Sequence, residues 1–271
     1  LLASGLVITA SWPFHTEMKH RLRARSSAAL SSSIYMVCRR KEREKLGFFG
    51  ELKAEAKKQI HEKLMQFWQG GISGPDLLIS AIGAGFEIFS RFEKIKNYDG
   101  ELVSTITLLD FIREECTDFI LVELLGSTAT ALDNVSRFYL LYRWLFANAE
   151  TEFEEARKLA LATGIDLDSL WKGQSRLIER NGAKITLLQA KERGNIIRPE
   201  SVIDCAHSLT NSWENGDREA INASLHQFGK DRNDLALYCQ ALAQCLPTGN
   251  REKVLVEGLL LMITSNEPTR R

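Results

Sequence analysis

The sequence predicts a mainly α fold: a short α/β segment, then a long multi-helix region with one β-hairpin. Three observations predict it. Continuous β-branched runs are confined to the first forty residues, and an apolar period of 3.6 sets in near Gly50. In the second half, Asn181-Gly182 stands between two β-favouring runs, the strongest short-range hairpin signal.

Composition bounds the rest. The 271 residues are 44% hydrophobic and 26% charged, enough for one to three domains with real cores, and five prolines without low-complexity runs argue against disorder. Lys and Arg number 35, as do Asp and Glu, so neither a chain basic throughout nor an acidic tail is present. The longest apolar run, 254–263, is broken by Glu257 and Gly258 and is too short for a bilayer, so no membrane is expected. Five cysteines lie scattered without a C-x-x-C, which fits reduced thiols in a cytoplasmic protein. LLASGLVITA at the start is apolar but no basic segment precedes it, so it makes a poor secretion signal. The expectation is that translation begins upstream and that this is the back part of something larger.

Residues 6–11 (LVITAS) and 32–38 (SSIYMVC) read as strands. Their continuous apolar character predicts cover on both faces, as in an α/β sheet, and two strands cannot supply that alone. Partner strands outside this chain are therefore expected. Between the two runs, Lys19, Arg21, Arg23 and Arg25 recur at every second position, so an extended segment would put four cations on one side. Contact with a phosphate backbone is the use weighed against a solvated loop. Residues 1–45 carry a net charge of +6, which leaves −6 for the remainder.

From Gly50 the helices follow in order. Leu52, Ala56, Ile60, Leu64 and Phe67 define the first, ended by Gly70-Gly71; Pro75-Asp76 opens the second, with Leu78, Ile82, Phe86, Phe89 and Phe92 assigned to one face. After the turn Asn97-Tyr98-Asp99-Gly100, Thr107 is expected to cap a helix through Leu125 with Leu108, Phe111, Ile112, Phe119 and Val122 apolar. Asp133 caps an aromatic-rich helix bearing Phe138, Tyr139, Tyr142, Trp144 and Leu145. Thr151 to Glu154 reads as a capping box, and Gly164 closes that helix. A helical turn at 167–171, the hairpin, and helices at 201–213, 218–228, 233–245 and 251–264 complete the chain. The boundaries predicted are 1–42, 43–130, 131–195 and 196–271.

Few motifs carry chemistry. Gly83-Ala84-Gly85 imitates a nucleotide loop, but the helical period runs through it and position 88 is Ile88, so close-packed helix glycines are the preferred reading. The α-α-α-β-β order over 134–188 is winged-helix-like. Its net charge is only +1, and the segment in the recognition position starts Asp166-Leu167-Asp168, which would meet phosphates badly. Cys205-Ala206-His207 lacks a second ligand pair, so a core role is preferred, and His15, His20, His61 and His226 show no partners. Glu114-Glu115 and Glu154-Glu155 read as solvated faces. No catalytic, cofactor-binding or metal residues are assigned.

Several runs together carry a resemblance. GLVITASWPFHTEMKHRLRARSSAALSSSIYMVCRRK, ISGPDLLISAIGAGFEIFSRFEKI, RFYLLYRWLF, FEEARKLALATGIDLD and AKERG resemble the distal part of a large prokaryotic family of adenine-specific DNA methylases. The resemblance implies methyl transfer from S-adenosylmethionine to the exocyclic amine of adenine in DNA. It makes residues 1–42 the terminal strands of the methyltransferase sheet. The family's glycine-rich cofactor loop and Pro-Pro-aromatic motif have no match here, since no two of the five prolines are adjacent. The expectation is a chain inactive by itself, with DNA and the missing N-terminal methyltransferase portion as partners, and Lys19, Arg21, Arg23 and Arg25 as the nucleic-acid contacts. S-adenosylmethionine then belongs to the parent enzyme, with no tight binding to this chain. The rival reading is a non-enzymatic helical module that binds a partner protein of a DNA modification or defence system, motivated by the −6 balance and the aromatic run at 138–146.

Overall fold

The computed structural model describes residues 5–15, 32–40, 42, 44–72, 74–126, 129, 132–172, 176–194, 196, 198–228 and 232–265. Ten α-helices and three small sheets lie among them, and none of these helices is long and apolar enough to cross a membrane. Contacts divide the chain into two compact units, the first ending at Phe119 and the second beginning at Ile120.

The first unit opens with β1 (Leu6–His15) and β2 (Ser32–Arg40), antiparallel from Leu6 opposite Arg40 to His15 opposite Ser32. The register shifts between Ile8 and Ala10, where the Thr9 hydroxyl donates to Val37 O at 3.2 Å. β3 (Glu44–Phe48) then leads into α1 (Phe49–Gln69), α2 (Pro75–Phe89) and β4 (Phe92–Lys96), and β3 and β4 pair in parallel. Nothing local in the sequence announces this pair. Each strand is five residues of mixed polarity, and its partner lies almost fifty residues away.

α1 buries Leu52, Ala56, Ile60, Leu64 and Phe67, the stripe that the period predicts. α2 departs from expectation. Its buried side is Leu77, Ala81, Ala84 and Ile88 with Gly83 and Gly85, while Leu78, Ile82 and Phe86 are half-buried and Phe92 belongs to β4. A helix covered nearly all round has no single apolar stripe for periodicity to find. Its glycines are packing devices. A Cβ on Gly83 would stand 2.3 Å from Ser11 Oγ of β1, and one on Gly85 would stand 2.4 Å from Ile112 Cδ1.

β1 therefore rests on a helix of this same chain. Val7, Ile8 and Ser11 are buried, Ile8 N donates to Ser90 Oγ at 3.0 Å, and Ser11 Oγ donates to Glu87 Oε1 at 3.4 Å. This corrects the expectation that strands 6–11 and 32–38 have nothing here to lie against. The cover is partial. Trp12 remains 51% exposed, Tyr35 57%, Met36 46% and Val37 37%.

α3 (Thr105–Leu125) begins at Ser104, whose hydroxyl accepts from Thr107 N at 3.1 Å, so Ser104 and not Thr107 is the cap. Phe49, Phe89 and Phe111 form an aromatic cluster with centroids 5.7–6.3 Å apart, while Val122, expected inside, is exposed.

In the second unit α4 (Asn134–Phe146) is followed by β5 (Thr151–Glu152), α5 (Phe153–Ala162), a 3-10 turn at Leu167–Leu170, β6 (Ile178–Asn181) and β7 (Lys184–Leu187). The sheet order β5-β7-β6 with three helical segments has winged-helix connectivity, with the third helix reduced to a single turn. Gly182, at φ +65°, begins the two-residue hairpin turn. Thr151 lies in β5, and α5 starts after Glu152 without a side-chain cap, which overturns the capping box expected at Thr151. Such boxes occur instead at Gln189 and Ser201. α6 (Ala190–Arg193), α7 (Val202–Glu214), α8 (Arg218–Phe228), α9 (Arg232–Cys245) and α10 (Arg251–Ser265) complete the unit, the last four within two residues of the predicted ends.

Candidate functional site

Lys19, Arg21, Arg23 and Arg25 lie outside the described residues, as do His20 and the side chains of His15 and His226. The structure concentrates polar chemistry elsewhere, in the second unit, where α4, α6, α7 and α10 meet.

The centre is Arg143 on α4, the largest fully buried side chain. Its Nε and Nη2 donate to the Tyr139 hydroxyl at 3.0 and 2.7 Å, Nη2 also donates to Glu252 Oε2 at 3.2 Å, and Nη1 donates to Asn148 Oδ1. Tyr139 donates its own proton to Leu188 O at 3.1 Å. Glu252, near the start of α10, accepts from Ala190 N through Oε1 at 3.2 Å and so joins α4, α6 and α10. Burial pushes its carboxyl up from the ordinary value, against the pull of Arg143.

His207 on α7 closes the network. Arg193 Nη1 stands 3.1 Å from His207 Nδ1; a guanidinium only donates, so Nδ1 accepts and the ring proton sits on Nε2. That Nε2 faces Glu252 Oε1 at 3.5 Å, and the ring meets Tyr139 edge-on at 4.9 Å. Burial first, then Arg193 and Arg143, hold His207 well below its ordinary value, so it is neutral. Arg193 also donates to Asp204 of α7 and, through Nε, to Arg176 O at 2.9 Å. Two arginines and two carboxylates thus compensate each other out of water, as burial demands.

A second carboxylate ties helix ends together. Asp133 accepts from Ser136 N, Ser136 Oγ and Val202 N, each at 2.9 Å, and so caps both α4 and α7. Ser136 Oγ in turn accepts from Ile203 N at 2.9 Å. The aromatic run at 138–146 serves this interior: Phe138, Tyr139 and Tyr142 are fully buried, which removes it as an exposed docking surface.

The elements of the network also line a polar cleft of about 760 Å³, among whose residues are Lys191, Ser208, Asn211, Ser212, Glu214 and Arg251.

In the first unit Glu115 is buried and not the solvated surface acid expected. Its carboxylate lies 2.9 Å from Lys57 Nζ and 3.0 Å from His61 Nε2, so His61 does have a partner. Burial pushes the Glu115 carboxyl up, but His61 and Lys57 outweigh it and hold it below the ordinary value. The pairing depends on the α1–α3 packing, which sequence spacing does not encode. Among the described residues no group of three or more His, Cys, Asp or Glu side chains could hold a metal ion.

Comparison with known proteins gives no relative: no family model, no curated protein and no solved structure matches this chain.

Proposed function

We propose that this chain is the distal part of an S-adenosylmethionine-dependent DNA adenine methyltransferase. In this reading β1 and β2 complete the cofactor-binding sheet, the helical units are accessory, and methyl transfer belongs to the portion upstream. One observation carries the reading beyond the resemblance of the quoted runs. The β1–β2 pair is seated on α2 by Val7, Ile8 and Ser11, yet it leaves Trp12, Tyr35, Met36 and Val37 in water. Apolar strand faces of this kind are what the helices of a larger α/β sheet cover.

The test uses the chain joined to its upstream coding sequence. Transfer of a labelled methyl group to adenine in DNA is expected from the joined protein and not from residues 1–271 alone. Tyr35→Asp and Met36→Asp alter exposed positions, so they should leave the isolated chain folded and abolish activity of the joined protein. A joined protein with no methyl transfer, or one indifferent to both substitutions, refutes the reading. Neutralising Lys19, Arg21, Arg23 and Arg25 together should flatten the salt dependence of DNA binding, by a slope of about 0.9 for each phosphate no longer neutralised.

The rival reading as a protein-binding module has its own support in Tyr98, Leu102 and Ile106, which are 77%, 63% and 69% exposed. It expects substitution of these three to cost partner binding without touching methyl transfer.

A further inference from the structure

We propose that β2 is an inner strand whose open edge pairs with a strand of the upstream portion, and that β1 is the outer strand of the completed sheet. This rests on the function proposed above and specifies how the two portions join. Among the described residues the sheet of β1 and β2 has two strands, so each has one edge turned away from the other. The two edges are built differently.

The edge of β1 is closed. Ile8 N is spent on Ser90 Oγ at 3.0 Å, and Ser90 is itself buried. Pro13 has no N–H to give a neighbouring strand, and the register shift between Ile8 and Ala10 leaves Thr9 as an extra residue. A covered N–H, a proline and a bulge are the devices that blunt a sheet edge against further pairing. The cover comes from α2, which packs chiefly on β1.

β2 carries none of these devices. Its sequence, SSIYMVCRR, has no proline, and its charges, Arg39 and Arg40, stand at its end. An antiparallel ladder bonds alternate residues. Pro13, which cannot donate, belongs at a position facing away from the partner strand, and Ser11 shares that side by the period of two. Opposite these two, Ile34 and Met36 turn N–H and C=O to the open edge of β2.

The faces of β2 select the occupant. Tyr35, Met36 and Val37 are exposed in succession, so apolar surface lies on both faces of the strand. A second copy paired through β2 would lengthen the sheet without bringing a helix over those faces, because its own α2 is engaged with its own β1. A strand from an α/β portion comes with crossover helices that cover both faces.

The experiment compares amide hydrogen exchange, resolved residue by residue by mass spectrometry with electron-transfer fragmentation, in the chain alone and in the chain joined to its upstream coding sequence. No DNA or S-adenosylmethionine is added. Joining should slow exchange at Ile34 and Met36 by about tenfold or more and leave Ser11 unchanged. Met36→Pro removes the outward donor but no bond to β1, so in the joined protein it should abolish the added protection at Ile34, whereas Met36→Leu should keep it. Four results overturn the proposal: exchange at Ile34 and Met36 unchanged by joining; protection gained at Ser11 instead; protection indifferent to Met36→Pro; or protection that appears in the chain alone as its concentration rises, which would assign the edge to a second copy. Methyl transfer without protection at Met36 would remove this docking and keep the function, and protection without methyl transfer would do the reverse.

Discussion

Glu252→Gln tests whether the buried network holds the second unit together. The carboxylate serves Arg143 Nη2 through Oε2 and Ala190 N through Oε1, both at 3.2 Å, and faces His207 Nε2 at 3.5 Å. A carboxamide keeps one acceptor oxygen and turns a donor toward the other partner, so either Arg143 or Ala190 loses its bond. The larger loss is charge. Arg143 has no exposed surface, and without Glu252 it keeps only neutral acceptors. Removing one partner of such a pair costs about 3–5 kcal/mol, a large share of the roughly 5–15 kcal/mol that a domain holds. The double variant Arg143→Met/Glu252→Leu removes both charges, and its cost should fall well below the sum of the singles. Guanidinium unfolding followed by circular dichroism and tryptophan fluorescence, with the two units fitted as separate transitions, measures both. A Glu252→Gln cost under about 1 kcal/mol, or additive behaviour of the pair, refutes the argument.

Two further predictions concern other packing points. Gly83→Ala places a Cβ on Ser11 and should cost about 1–3 kcal/mol by overpacking, with faster hydrogen exchange at the Ile8 amide that Ser90 holds; unchanged exchange there would show that β1 does not depend on this contact. His207, held below its ordinary value of 6.5, stays neutral in the fold while the unfolded chain takes up a proton, so stability falls as pH drops below about 6.5, by at most about 1.4 kcal/mol per unit. Glu252, with a raised value, opposes this by accepting a proton more readily in the fold than out of it, while Arg143 and Tyr139, both raised, stay protonated. His207→Gln should make the decline between pH 7 and 5 shallower than in the unsubstituted chain, as read by unfolding midpoints; a parallel decline contradicts the assignment.

The local part of the fold was legible in the sequence because local rules govern it. α1 shows its stripe, Asp133 caps α4 as its position implies, and Asn181-Gly182 announces the β6–β7 hairpin. What escaped depends on distant partners. β3 and β4 pair across 44–48 and 92–96, and β5 is two residues long and exists only because Thr151 and Glu152 meet Ile185 and Lys184. The network escaped for the same reason. Arg143 and Glu252 are 109 positions apart, and an arginine late in an aromatic helix reads as a favourable charge near a helix C-terminus rather than as a buried centre. The one available signal was a charged residue at the apolar spacing of Tyr139, Tyr142 and Phe146.

The same bonding narrows where DNA contact could arise if the proposed function holds. In a winged helix the third helix enters the groove and the wing flanks it. Here that helix is one 3-10 turn capped by Asp166 and carrying Asp168. The wing's Arg180 is spent internally: its guanidinium lies 4.1 Å from the Phe153 ring and 4.9 Å from the Trp171 ring, and Nη1 is 3.9 Å from Asp168. Lys184 at the hairpin is paired with Glu150 at 3.1 Å. Connectivity alone therefore does not make this unit a DNA reader, since counterion release needs cations that are not already neutralised. The charge suited to a phosphate backbone is concentrated before position 46, where the sequence carries +6, and the accessory helices with their −6 are better placed to exclude a polyanion than to hold one. Neutralising Arg180 and Lys184 should accordingly leave the salt slope of DNA binding unchanged, in contrast to neutralising Lys19, Arg21, Arg23 and Arg25.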